Sequence, residues 1–219
     1  MSSRRNAITT RLARRALIAG AVAALGLGVS AGAAHAISID GIRGNPFNYT
    51  GVQTTQHRFA VNRGNIVVTC TTATFTGTAT GAAWTDFQPT YSGCTFNLAG
   101  TPLPATVTVS SPWRLTALTT SGGISTGSID LLSSRTTIRV PLLGCEVYVD
   151  GPQTFTHGDA NGSIGTSRHI GTGELLTVVA EGVRYTVNNP INCTFGSGSD
   201  GRYHTGVDGV DIPGVIVNP

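Results

Sequence analysis

Ala105-Thr-Val-Thr-Val-Ser110 decides the fold class. Ala105, Val107 and Val109 alternate with Thr106, Thr108 and Ser110, the period of two expected of a strand with one face buried and the other wet. The same pattern spreads outward from this stretch. Trp113, Leu115 and Ala117 alternate with Arg114 and Thr116; Cys145, Val147 and Val149 alternate with Glu146, Tyr148 and Asp150; Val183, Tyr185 and Val187 alternate with Arg184 and Thr186. Phe59 and Val61 share a face, as do Cys94, Phe96 and Leu98. Ile37–Ile39 opens the series and Gly214–Val217 closes it. Asn62–Asn65, Ser121–Gly123, Asp150–Pro152 and Glu181–Gly182 read as turns, the last joining Leu175–Ala180 to Val183–Val187 as a hairpin. Between Thr71 and Thr80 the threonines occupy one parity and Ala73, Phe75 and Ala79 the other. Cys70 sits on the threonine parity, so a bulge or turn is expected between Cys70 and Ala73. Gly100–Pro104 reads as a turn-rich connection, and 157–173 and 196–211 read as glycine-rich surface loops.

Roughly a dozen short strands with turns every 8 to 12 residues indicate an all-β fold, an antiparallel β-sandwich or open barrel. Composition agrees. Charged residues make up 11% of the chain, and Thr, Ser, Gly and Val fill the space.

The first 36 residues read as a separate element. Arg4, Arg5, Arg11, Arg14 and Arg15 make a basic head, Ala16–Val29 is apolar, and Ala34-His-Ala36 ends the stretch. These are the parts of a secretory signal peptide, a signal helix cleaved after Ala36. The apolar run of about 14 residues is short of the roughly 20 that span a bilayer, and no stable membrane span is expected after its removal. Arg14-Arg15-Ala-Leu-Ile18 also has the look of a twin-arginine export motif. The domain plan is therefore 1–36 signal and 37–219 one secreted β domain, with two similar halves, about 37–121 and 122–219, as the other organisation. The whole chain is formally +3. Five of its fourteen arginines precede Ala36, leaving nine against eleven acids, about −2 for the mature chain. The basic balance thus gives no argument for nucleic acid as a partner.

Four cysteines allow three pairings. Export favours oxidation, and no Cys-x-x-Cys spacing suggests zinc. Sequential pairing, Cys70 with Cys94 and Cys145 with Cys193, keeps each loop short. On the chain-entropy model each staple contributes roughly 3 to 4 kcal/mol. Both later cysteines begin a Cys-Thr-Phe word, Cys94–Phe96 and Cys193–Phe195, which places an aromatic on the cysteine's side.

Motifs for chemistry are sparse. The histidines after the signal are His57, His157, His169 and His204. Asp159-Ala-Asn-Gly-Ser163 hints at a calcium loop, but Ile170 stands where the closing glutamate is needed. Asp208 and Asp211 have no supporting pattern. Glu146, Glu174 and Glu181 are the only glutamates, and spacing does not pair them for glycoside hydrolysis. Trp84 and Phe87 flank Asp86 and are the candidates for an aromatic carbohydrate platform, with burial at the rim of a sandwich as the competing reading. No catalytic, cofactor or metal residue is expected.

Ala34-His-Ala36, Cys70 in a Thr-rich strand, Tyr91-Ser-Gly-Cys94, Trp113, Cys145 on a strand and Cys193-Thr-Phe195 followed by Gly201-Arg-Tyr203 together resemble a loose family of uncharacterised secreted proteins of high-GC Gram-positive (actinobacterial) bacteria. The resemblance supplies no catalytic residue. The expectation is a secreted, extracellular or cell-wall-associated structural or binding protein without catalysis, its partner a cell-wall polymer or another secreted protein. Its contacts are expected on the loops at 157–173 and 196–211. The alternative is a secreted hydrolase acting on cell-wall or carbohydrate polymers.

Overall fold

Two long antiparallel strands, β4 (Ile66–Ala79) and β5 (Trp84–Leu98), form a hairpin that the rest of the computed structural model is built on. The structure describes residues 37–218 except 63, 99, 122–123, 158–166, 171–172 and 206–208. The signal segment with Ala34 and Ala36, the Asp159–Ser163 loop and Asp208 lie outside the described residues.

The protein is all-β, with every strand pairing antiparallel. One end of the hairpin belongs to an eight-stranded barrel. From β4 the hydrogen-bonded circuit runs through β3 (His57–Val61), β15 (Gly198–His204), β14 (Val179–Asn188), β10 (Cys145–Asp150), β9 (Arg135–Val140) and β6 (Thr101–Val109), and returns through β5. The other end belongs to a second closed circuit of eight. This one passes through β2 (Phe47–Gln53), β16 (Val210–Pro213), β13 (Gly173–Leu176), β12 (Ser167–Ile170), β8 (Ile124–Asp130) and β7 (Trp113–Ser121), again closed by β4 and β5. Closing a sheet removes the open edges that invite pairing with other chains. β11 (Thr154–His157) lies beside β8, and β1 (Ser38–Gly41) pairs with β17 (Val215–Asn218) in a separate ribbon. Strands before and after Ser121 pair with one another at β3–β15, β6–β9, β7–β8 and β2–β16.

The shift expected between Cys70 and Ala73 is present, in a different form. In β4 the buried face changes from Val68 and Cys70 to Ala73 and Phe75; in β5 it changes from Phe96 and Cys94 to Pro89 and Phe87. The ladder keeps its register, with Cys70 opposite Cys94 and Ala73 opposite Tyr91. Both strands turn over together where Gly93 takes a left-handed φ of 59°. The hairpin thereby presents one buried face to the barrel and the other to the second circuit.

Cys70 is bonded to Cys94 across this ladder, and Cys145 at the start of β10 is bonded to Cys193. Both cysteine–phenylalanine words are scaffold: Phe96 and Phe195 are buried beside their cysteines. Gln153 adds a link between the circuits. Its amide donates to the Arg184 carbonyl at 3.0 Å and accepts from the Arg184 N–H at 2.8 Å, so one side chain stands in for a strand neighbour of β14.

Five local expectations are corrected. Residues 196–211 are not a loop, because Gly198–His204 is the barrel strand β15. A Cβ at Gly201 would lie 2.7 Å from the Val183 carbonyl, and one at Gly198 would lie 2.7 Å from the Tyr185 hydroxyl. The glycines there permit close approach to β14. Glu181–Gly182 is not a hairpin turn either. β14 runs straight through it, and Gly182, at φ 70°, marks a register shift against β15. Thr101–Pro104 is strand, not connection: β9 pairs with β6 only from Thr106 onward, so the missing proline N–H groups lie where one neighbour is absent. Within 157–173, Ser167–Ile170 is the strand β12. Cys193 closes a one-turn helix, α1 (Pro190–Cys193), in place of an extended segment.

Candidate functional site

The inward positions of both circuits meet in one aromatic cluster. Phe59 and Tyr203 come from barrel strands, Trp113 comes from β7, and Phe75 and Phe87 come from the hairpin. Tyr203 packs on Phe59 with ring centroids 5.0 Å apart and meets Trp113 edge-on at 5.9 Å. Trp113 meets Phe87 at 6.0 Å, and Phe87 meets Phe75 at 5.8 Å. Tilted and edge-to-face pairs of this kind each add about 0.5–1.5 kcal/mol to the burial of their area. The two circuits therefore share one core.

His57 sits within this cluster, fully buried, its ring 5.3 Å from Phe75 and 5.6 Å from Tyr203. Its Nδ1 is 2.9 Å from the Tyr203 hydroxyl, which is 3.2 Å from the Tyr91 hydroxyl. Nδ1 accepts from the Tyr203 hydroxyl or donates to it according to the tautomer, and Nε2 has no hydrogen-bond partner. Burial, assisted by the charge of His204, lowers the His57 pKa to about 3, so the ring is neutral at ordinary pH. Burial also pushes both tyrosine hydroxyls above the usual phenol range.

Beside the cluster lies a cavity with ≈ 40 Å³ for the centres of water-sized molecules. Phe59, Trp113, Tyr203, Ile129, Thr136 and Val178 are among its lining residues, so both circuits contribute walls. The lining is almost wholly apolar. Two of its side chains nevertheless carry buried polar atoms without a hydrogen-bond partner, the Trp113 indole Nε1 and the Thr136 hydroxyl. Trp113 and Thr136 are 4% and 1% exposed, so water does not satisfy them from outside.

The charged candidates lie elsewhere. Arg114 bonds Asp86 at 2.8 Å, Arg135 bonds Asp150 at 2.5 Å, Arg139 bonds Glu146 at 2.5 Å and Arg202 bonds Glu181 at 2.5 Å. Each pair joins residues directly opposite in a β ladder. Glu146 also accepts from Tyr148 and Asn188; the Tyr148 bond is the largest cause holding its carboxyl below the usual range. These carboxylates are engaged across strands and not gathered in a cleft. His204 lies on β15 opposite Arg58, its pKa lowered by burial and then by Arg58 and Arg202. His157 and His169 lie on β11 and β12, and the Glu174 backbone pairs with Ile212. Asp211 lies on β16 opposite Leu175 and Val52. Among the described residues no group of three or more His, Cys, Asp or Glu could hold a metal ion. Trp84 and Phe87 do not form an aromatic row. Phe87 is buried, and the exposed Trp84 ring is covered by the Arg114 guanidinium 3.9 Å from its centroid.

Compared with models of known families, with curated proteins and with solved structures, the chain matches none. The site therefore rests on its own geometry. Its least visible member in the sequence is Thr136. In Arg135-Thr-Thr-Ile-Arg-Val140 it shares parity with Ile138 and Val140, and that parity is the signal that marks it as inward-facing.

Proposed function

We propose that this is a secreted or cell-envelope binding protein without catalysis, holding a small apolar ligand inside its β frame. The carrying observation is the apolar cavity where the two strand circuits meet, walled by Phe59, Trp113 and Tyr203. Closed eight-stranded frames have an interior wide enough to be filled by side chains or to hold one small ligand. A concave apolar site with a few polar groups is the usual form of a small-molecule site. The basic head, the Ala34-His-Ala36 end and the two disulfides support export to an oxidising compartment. Asp86, Asp150, Glu146 and Glu181 are engaged with arginines and His57 with tyrosine, so none of these five groups favours the hydrolase alternative.

The test is a titration of the exported, oxidised protein with small neutral apolar probes, read by Trp113 fluorescence in a Trp84→Phe background. Saturable quenching or a blue shift is expected. In parallel, sedimentation with peptidoglycan, chitin and cellulose should leave the protein in the supernatant. Retention on a polymer with no response to any probe would move the binding surface to the outside of the frame and overturn the cavity reading.

A further inference from the structure

One end of the eight-stranded barrel carries two short projections. The 3₁₀ turn Pro141–Leu143 joins β9 to β10, and α1 joins β14 to β15. β9 and β14 both flank β10, with Val140 opposite Cys145 and Asn188 opposite Glu146, so the two projections stand side by side. The Cys145–Cys193 disulfide ties them together, and a Cβ at Gly144 would lie 3.4 Å from the Asn192 amide nitrogen. Each starts on a proline, whose ring fixes φ, and ends at a residue of left-handed φ, Gly144 and Thr194, both at 62°.

Their tips are apolar. Leu142 is 71% and Ile191 88% exposed, the highest values among the large apolar side chains of the described residues. Neighbouring Leu143 packs against the core instead. No Asp, Glu, Lys or Arg occurs in 140–145 or 185–199. The charges behind the tips are engaged: Arg139 bonds Glu146 at 2.5 Å, and Asp200 accepts from the Tyr185 hydroxyl at 2.8 Å. A lone exposed leucine is ordinary, but two aliphatic side chains on adjoining, uncharged and covalently tied turns form a patch. Area and charge select what covers it. Two side chains present a few hundred Å² at most, against roughly 800 Å² per partner in a standard protein interface, so a second copy seated here would not be held. A bilayer surface needs no shape complementarity and takes in aliphatic groups singly. After the signal the chain has nine arginines against eleven acids, and the tips have neither, so nothing here draws anionic headgroups.

We propose that this end of the barrel docks on a neutral lipid surface, with Leu142 and Ile191 entering the bilayer interface and the rest of the protein outside it. The prolines and the disulfide hold the two side chains in place beforehand, which reduces the ordering cost of binding. The docking tip is separate from the cavity and does not depend on it.

The test is flotation of the exported, oxidised protein with phosphatidylcholine vesicles. A single myristoyl chain binds bilayers with about 10⁴ M⁻¹ and two aliphatic side chains fall below it, so half-binding is expected at about 1 mM lipid or above. The affinity should change by less than about twofold between about 0.05 and 0.5 M salt, or when anionic lipid is added. Leu142→Asp and Ile191→Asp should each weaken binding at least about tenfold, because a charge is costly in the bilayer. Both side chains already lie in water, so the thermal midpoint should hold. Val52→Asp, at an exposed apolar position on β2 in the second circuit, should weaken binding by less than about twofold. Absence of flotation at about 5 mM lipid, or equal binding by the native protein and all three variants, would overturn the docking tip. Binding confined to anionic vesicles and lost in salt would overturn it by making the attachment electrostatic. A dimer in sedimentation velocity that either tip variant dissolves would assign the tip to a second copy instead. If a variant fails to fold, hydrogen exchange of the unaltered protein decides the point: vesicles should protect the peptides covering 140–145 and 189–195, and no protection there would overturn the proposal.

Discussion

His57 ties a property of the whole protein to one ring. It is buried among Phe75, Tyr91 and Tyr203, and burial, followed by His204, lowers its folded pKa to about 3 against an ordinary 6.5. Between those values the unfolded chain binds a proton that the folded chain refuses. Stability from this residue is therefore complete above pH 6.5 and lost progressively as pH falls towards 3. At pH 5 the loss is about 2 kcal/mol, from 1.36 kcal/mol per pH unit. Carboxylates held low by their partners, Asp40 through Ser38 and Glu146 through Tyr148, lose their contribution only nearer pH 4, which leaves pH 4.5–6.5 to His57 and to His204, whose lowered pKa acts in the same direction. Thermal melts across that window should show the midpoint falling with acid in the native protein. The slope should flatten in His57→Phe, whose ring suits an aromatic nest. An unchanged slope would assign the acid sensitivity to other groups. His57 was visible in the sequence as a histidine on the Phe59 face of a strand. Its burial was not, because that depends on Tyr91 and Tyr203 arriving from strands 34 and 146 residues away.

Glycine was the least legible residue at the scale of elements. A glycine-rich stretch reads as loop when only the stretch is considered, yet β15 is a central barrel strand whose glycines let it approach β14. Gly201→Ala places a methyl group 2.7 Å from the Val183 carbonyl and should destabilise by about 1–3 kcal/mol, the usual cost of overpacking. Gly196→Ala, with nothing within 4 Å of the added Cβ, should change the melting temperature little. Equal effects would refute the packing role of Gly201. The alternating strands were legible for the opposite reason: each carries its own signal in the parity of five or six residues. Pairing order was not, since which strands become neighbours is a long-range matter that Gly182 and Pro104 only punctuate. The staples belong to the same scale. Cys70–Cys94 spans 24 residues and Cys145–Cys193 spans 48, and the chain-entropy model gives about 3.5 and 4 kcal/mol. Replacing Cys145 and Cys193 together with alanine should therefore lower stability slightly more than replacing the Cys70–Cys94 pair, as measured by denaturant midpoints at equal m-value.

For the whole molecule, the decisive feature is that one hairpin serves two closed circuits. β3 and β6 flank it at one end, and β2 and β7 flank it at the other. Opening the barrel at any other ladder leaves β4 and β5 held by the second circuit, and the reverse is equally true. Amides of the paired stretches 67–77 and 87–97 can therefore exchange only when both circuits open, which makes their opening free energy that of the whole fold. The ladder between β12 and β8, with two residue pairs among the described residues, belongs to one circuit only and should open first. The candidate site follows from the same arrangement, because the cavity lies where the circuits share the Trp113–Tyr203 contact and its walls loosen when either one opens. Hydrogen exchange followed by mass spectrometry should find peptides of the hairpin last to exchange, and those covering 124–126 and 167–168 among the first. Because the core is continuous across Trp113 and Tyr203, denaturant unfolding should show one transition by fluorescence and by circular dichroism. Two separated transitions, or a hairpin exchanging as fast as β12, would mean that the circuits fold independently, and the site at their junction would then lose its physical basis.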